Sequence, residues 1–239
     1  MQENSLTIQD FQKGHRERIK EKFLKSEGVD FLDYELLELL LTFSIPRKDV
    51  KPLAKTLLSK FGSLGNVLGA PIEDLLKIKG IKEHSAILIK LTATLNKSIL
   101  KREIIHKHIL TNWESVANYC HSLLGRETKE QVYIIPLDAS NAVIDAVLIQ
   151  KGSVCETPVY VREVIENLIK CRAVSFILVH NHPSGNTKAS NEDKQMTALL
   201  YEATKQVGIK MQDHFIVSSK GINSFKLMGL MDSIEKNVK

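Results

Sequence analysis

A helical N-terminal domain followed by an α/β domain built on a mixed sheet is the fold class this sequence predicts. Three observations predict it. Apolar residues recur at helical spacing from about residue 10 to residue 100, β-branched alternation is scarce there, and from Gln131 onward strand-like runs alternate with helical ones. With 239 residues and 43% hydrophobic content, the chain is long enough for one large or two small domains with real cores.

In the first half, Asp33-Tyr34-Glu35-Leu36-Leu37-Glu38-Leu39-Leu40-Leu41 places leucines at helical intervals. Pro52 sits where the first turn of a helix tolerates it, and Phe61-Gly62-Ser63 stops that helix. Residues 71–82, followed by Ala86 and a further helical run, read as two short helices joined by a tight turn at Lys79-Gly80-Ile81. This is the form of a helix-hairpin-helix, near residues 71–100. Gly80 permits the turn, backbone N–H groups freed there can hold a phosphate, and Lys77, Lys79 and Lys82 add attraction. These four residues are the candidate nucleic-acid contacts. An αα-hairpin that closes a helical core on Leu75, Leu76, Ile78 and Ile81 explains the same pattern without DNA.

The second half opens with a helix around 114–124. Strands are expected at 131–135, 142–149 and 175–179, with helices at 161–170 and 191–207. The charged, poorly periodic run 101–111 marks the boundary, so the helical domain is placed at 1–105 and the α/β domain at 111–239.

Net charge is +5, and it is unevenly placed: residues 1–110 hold 19 Lys and Arg against 14 Asp and Glu, while 111–239 hold 14 against 14. A basic excess in the helical half is a weak signature of a module that meets phosphates, and solvated lysine-rich helices give the same count. No stretch approaches the roughly 20 apolar residues that span a bilayer, and the start, Met1-Gln2-Glu3-Asn4, is too polar for a secretory signal. No membrane partner and a cytoplasmic location are expected. Cys120, Cys155 and Cys171 are an odd number without a Cys-x-x-Cys pair, which favours idle thiols over a disulfide framework or a thiolate zinc site.

The most informative stretch is His180-Asn181-His182-Pro183-Ser184-Gly185, followed by Ser190 and Asp193. Side chains alternate across a strand, so His180 and His182 at the end of the 175–179 run point to the same side and can share one ion. Pro183 and Gly185 break the strand, and the next helix brings Asp193 back. Two imidazoles and a carboxylate suit a zinc ion with an open fourth position, one ion per chain, although iron, manganese or nickel accept similar donors. Ser190 and Asp193 also make an ordinary helix start, as N-cap and third helical residue. His106-Lys107-His108 repeats the spacing without a carboxylate partner and reads as surface.

The pattern H-x-H-P-S-G with Ser190 and Asp193 resembles the JAMM motif of the MPN metalloprotease superfamily, and in detail the bacterial RadC family. The resemblance takes in Gly152-Ser153, Val161-Arg162-Glu163-Val164, residues 180–193, Gln212-Asp213-His214-Phe215-Ile216-Val217 and the helical half with its hairpin. Val161 stands where the family usually has proline, and Thr187-Lys188-Ala189 is a variant of the segment before Ser190. The resemblance implies an MPN/JAMM-like second domain of cytidine-deaminase-like architecture. It also implies a zinc-dependent hydrolase of peptide or isopeptide bonds. His180, His182 and Asp193 would be the ligands, and Glu130, before the strand at 131–135, the general base that moves a proton from activated water to the leaving amine. Ser190 would steady the water or the developing oxyanion. Glu127 and Glu163 are rival acids, and Asp213-His214 either orients the site from behind or caps a strand.

A DNA-associated repair or recombination accessory protein, with the metal domain as scaffold, is the competing reading. A metal-dependent nuclease ranks lower, because the residues of an HNH site are normally spread over a hairpin and a helix. The protein or peptide substrate and the oligomeric state are not legible here.

Overall fold

The computed structural model of the chain describes residues 8–108, 113–152 and 161–237, the side chains of 8–13 and 237 aside. Ser153, Cys155 and residues 109–111 of the expected boundary therefore lie outside the described residues. Two compact units emerge, Met1–Leu95 and Asn96–Lys239.

The first unit is helical, as its periodicity predicts: α1 (Ile8–Ser26), α2 (Asp33–Ser44), α3 (Lys51–Phe61), α4 (Leu64–Gly69), α5 (Ile72–Leu76) and the first turns of α6 (Glu83–Ile104). Local chemistry sets the ends. Glu35 accepts the Leu32 backbone N–H at 3.0 Å to start α2, and Pro52 occupies the first turn of α3. Gly62, at φ +86°, closes α3 with its N–H on the Leu58 carbonyl. Leu37, Leu41, Leu57, Val67, Leu75 and Ile89 form a fully buried core. Glu38 is buried on the same helix as Leu37, and His15 of α1 meets its carboxylate at 2.6 Å.

In the second unit, the last turns of α6 and α7 (Trp113–Leu124) precede a five-stranded sheet of order β2-β1-β3-β4-β5. The strands are β1 (Gln131–Leu137), β2 (Val147–Lys151), β3 (Ser175–Asn181), β4 (Lys210–Ser218) and β5 (Gly221–Ser224). Among the strands of the described residues, only β3 and β4 pair in parallel, joined through α9 (Asn191–Gln206), the kind of crossover a parallel pair requires. The sheet is thus mixed, as the sequence predicts.

Alternation along β3 splits the core into two layers. Phe176 and Leu178 pack towards α8 (Val161–Lys170), α9 and α10 (Leu230–Asn237), while Ile177 and Val179 pack towards α7. Being central and covered on both faces, β3 is buried along its whole length, which is why its middle, Phe176-Ile177-Leu178-Val179, reads as an unbroken apolar run.

One expectation needs correction. The segment 142–149 is not a single strand: Ala142 and Val143 make isolated bridges to His108, Leu137 and Ile105, and β2 begins only at Val147. Asp145 intervenes, its carboxylate accepting the Ala146 backbone N–H at 2.7 Å, a local bond that takes the place of a ladder bond.

Candidate metal centre

His180 is the penultimate residue of β3, on the face that α9 covers, and His182 follows two residues later on the same side. The chain then turns at once. Gly185 takes φ +81° and donates its N–H to the His182 carbonyl at 3.1 Å, a conformation in which a side chain would be strained. Asn223 of β5 holds the loop beyond by donating to the Thr187 carbonyl at 3.0 Å. Ser190 then caps α9, its Oγ accepting the Asp193 N–H at 3.0 Å while Asp193 Oδ2 accepts the Ser190 N–H at 2.7 Å.

These connections bring His180, His182 and Asp193 together. The Nε2 atoms of the two histidines lie 2.8 Å apart. Asp193 Oδ1 is 2.9 Å from His180 Nε2, and Oδ2 is 3.3 Å from His182 Nε2. A tetrahedral zinc ion with bonds of about 2.0–2.1 Å sets its donors roughly 3.3 Å apart, so this set accommodates one after opening by a few tenths of an ångström. The donor chemistry fits as well. His182 Nδ1 lies 2.8 Å from the Asn186 carbonyl, which only accepts, so in the neutral ring that nitrogen carries the proton and Nε2 turns a lone pair inward.

Electrostatics agree with the geometry. The hydrogen bond to Asp193 holds the pKa of His182 above its ordinary value against partial burial, helped by the Asn186 carbonyl and by the charges of Asp193 and Glu130. Burial alone would raise the Asp193 carboxyl, but its contacts with the His180 and His182 rings outweigh it and keep the group well below the usual carboxylate range.

Glu130 lies in the turn before β1, where its carbonyl accepts the Gly152 N–H at 2.8 Å. Glu127 pairs with Lys97 at 3.2 Å and accepts from the Gln131 side chain at 2.8 Å, and Glu163 is exposed on α8.

Behind the three donors, His214 of β4 is fully buried, its Nε2 2.7 Å from His180 Nδ1 and its Nδ1 2.7 Å from the Thr197 hydroxyl. Asp213 faces elsewhere, accepting from Ser224 and from the backbone of Lys226 and His214, and burial raises its pKa. Of the Asp213-His214 pair, therefore, only the histidine touches the site. Thr197 and Asn181 were missed in the sequence, although Thr197 lies one helical turn beyond Asp193 and that spacing is legible.

Residues 110–230 match the RadC-like JAB domain family, and residues 8–87 match the UPF0758 N-terminal family. The chain belongs to the RadC family. Its JAB domain is the five-stranded unit just described, and the three convergent side chains of this RadC protein are the only group of that kind among the described residues.

In the helical unit, Gly80 makes the turn between α5 and α6 at φ +104°. Lys77 is tied to Asp74 at 2.7 Å, whereas Lys79, Gly80 and Lys82 border a cleft of about 620 Å³. Lys48 and His84 line the same cleft, Lys48 from the turn between α2 and α3. His106 and His108 are exposed, as their sequence context predicts. Cys120 is buried, and burial pushes its thiol up to about 12, the behaviour of an idle thiol. No helix among the described residues is long and apolar enough to cross a membrane.

Proposed function

We propose that this RadC protein is a metal-dependent hydrolase that cleaves amide bonds, peptide or isopeptide, in a protein or peptide substrate. The observation behind this reading is the convergence of His180 Nε2, His182 Nε2 and the Asp193 carboxylate on one point. These residues hold one zinc ion per chain. A zinc ion in such a donor set lowers the pKa of water to about 7 and polarises a carbonyl oxygen. Glu130 takes a proton from the attacking water and returns it to the leaving amine, so that water is divided between the new carboxylate and the amine. Ser190, whose oxygen already accepts from Asp193, keeps its own proton to donate to the developing oxyanion.

Zinc analysis of purified protein beside His182→Ala tests the metal; equal, negligible zinc in both removes the basis of the reading. Glu130→Gln, which keeps the three donors, is expected to retain zinc and to trap uncleaved substrate. Cleavage of phosphodiesters but not of amides would establish the nuclease instead.

A second reading concerns the helical unit. The cleft lined by Lys48, Lys79, Lys82 and His84 favours phosphate contact, and this reading makes the protein DNA-associated, with or without hydrolysis. Absence of duplex binding by the full chain, even at low salt, discards it.

A further inference from the structure

We infer that Thr197 and His214 are positioning residues that decide which nitrogen of His180 faces the ion. The inference rests on the metal reading above and deepens it. Three hydrogen bonds form one path. Thr197 Oγ1 lies 2.5 Å from the Asp193 carbonyl and 2.7 Å from His214 Nδ1, and His214 Nε2 lies 2.7 Å from His180 Nδ1. Thr197 and His214 are fully buried, so no solvent competes for their protons.

The direction of the path follows from its first link. A backbone carbonyl only accepts, so the Thr197 hydroxyl gives its single proton to Asp193. Having no second proton, the hydroxyl accepts from His214, whose Nδ1 must carry one. The ring partners of His214 are a hydroxyl and another imidazole, and Phe225 lies against it with ring centroids 4.4 Å apart. An imidazolium there would be a buried charge without a counter-ion in contact, so the ring is neutral and its Nε2 offers a lone pair. His180 therefore donates from Nδ1, and its Nε2 presents a lone pair towards His182 and Asp193.

The outcome matches that of His182, which reaches it in one step through the Asn186 carbonyl. Both rings are anchored by Nδ1–H with Nε2 inward. A structural role for a buried Thr–His pair would need no particular proton order. Here the order starts on the backbone of Asp193, the residue whose carboxylate joins the donor set, and α9 delivers both ends because Thr197 follows Asp193 by four residues.

Thr197→Val removes the hydroxyl at nearly constant volume. Without its acceptor, His214 is expected to shift its proton to Nε2 and give it to His180 Nδ1, which moves the His180 proton onto the nitrogen that faces the donors. Zinc affinity, read by chelator competition, should fall about 10–100-fold in Thr197→Val and stay within about 3-fold of the parent in Thr197→Ser, which restores the link. Ring ¹⁵N NMR of histidine-labelled protein should place the His214 proton on Nδ1 in the parent and in Thr197→Ser.

A parent His214 protonated on Nε2, or zinc affinity indifferent to Thr197→Val, overturns the inference. Should Thr197→Val fail to fold, the ring assignment in the parent decides alone. A parent with His214 Nδ1–H but no affinity for zinc overturns the hydrolase reading, and with it the purpose given to the path. The two failures are thus told apart.

Discussion

The Asn181 side chain accepts the Gln131 backbone N–H at 2.8 Å, fastening the start of β1 to the end of β3. The same amide donates to the carbonyls of Lys129 at 3.2 Å and Glu127 at 3.4 Å. The residue between the two histidines therefore grips the chain on both sides of Glu130. Asn181→Ala is expected to keep its zinc while losing turnover about 10–100-fold, because the base wanders and the donors do not. Freed backbone groups should also cost about 1–3 kcal/mol of stability, read by denaturant titration. Loss of zinc in step with activity would show that Asn181 serves the donors instead.

Proton competition gives the site a definite pH response. In the metal-free protein, the raised pKa of His182 contributes stability that is fully present below its unfolded value of about 6.5 and is lost as pH rises through the folded pKa. The depressed pKa of Asp193 contributes stability that is present above about 3.9 and is lost as pH falls through the folded pKa. This pair therefore favours the metal-free fold most between roughly pH 4 and 6.5. Zinc affinity runs the other way and rises with pH through the raised His182 value, since the ion and the proton want the same nitrogen. Denaturant midpoints with chelator, set beside zinc titrations from pH 5 to pH 9, check both signs.

If the hairpin unit holds duplex DNA, the lysines should not contribute equally. Lys79→Glu together with Lys82→Glu is expected to weaken binding by the full chain and to flatten its salt dependence by about two units of slope. Lys77→Glu should do less, because Asp74 already engages that ammonium. Binding measured across a salt series separates the two variants.

Core packing under the site sets a stability prediction. Leu178 is fully buried at the centre of β3, two residues before His180. Leu178→Ala should cost about 2–5 kcal/mol in a denaturant titration, with zinc stoichiometry preserved in the fraction that stays folded.

Much of this was legible in the residues alone. The alternation that puts His180 and His182 on one side is a property of any strand, and the helix start at Ser190 announces itself by residue type. The helical half follows equally from leucine spacing, Pro52 and Gly62. What the sequence hid depends on partners distant along the chain. Nothing near Asn181 says that its amide reaches back to Gln131, and which member of the Asp213-His214 pair touches the site is undecided until β4 lies beside β3. The run 142–149 misled because it is apolar and rich in β-branched residues on both sides of Asp145, while the Asp145 side chain diverts the backbone halfway. β5 and α10 were not anticipated, since a four-residue strand and a short terminal helix leave too few repeats to show a period.

Asp193 does two jobs with one carboxylate: one oxygen closes the cap of α9 while the other meets His180. Winding the first turn of that helix and completing the trio are consequently a single event. On the metal reading, a nascent chain offers an ion only the histidine pair, and the full donor set forms once that helix has wound and packed against the sheet.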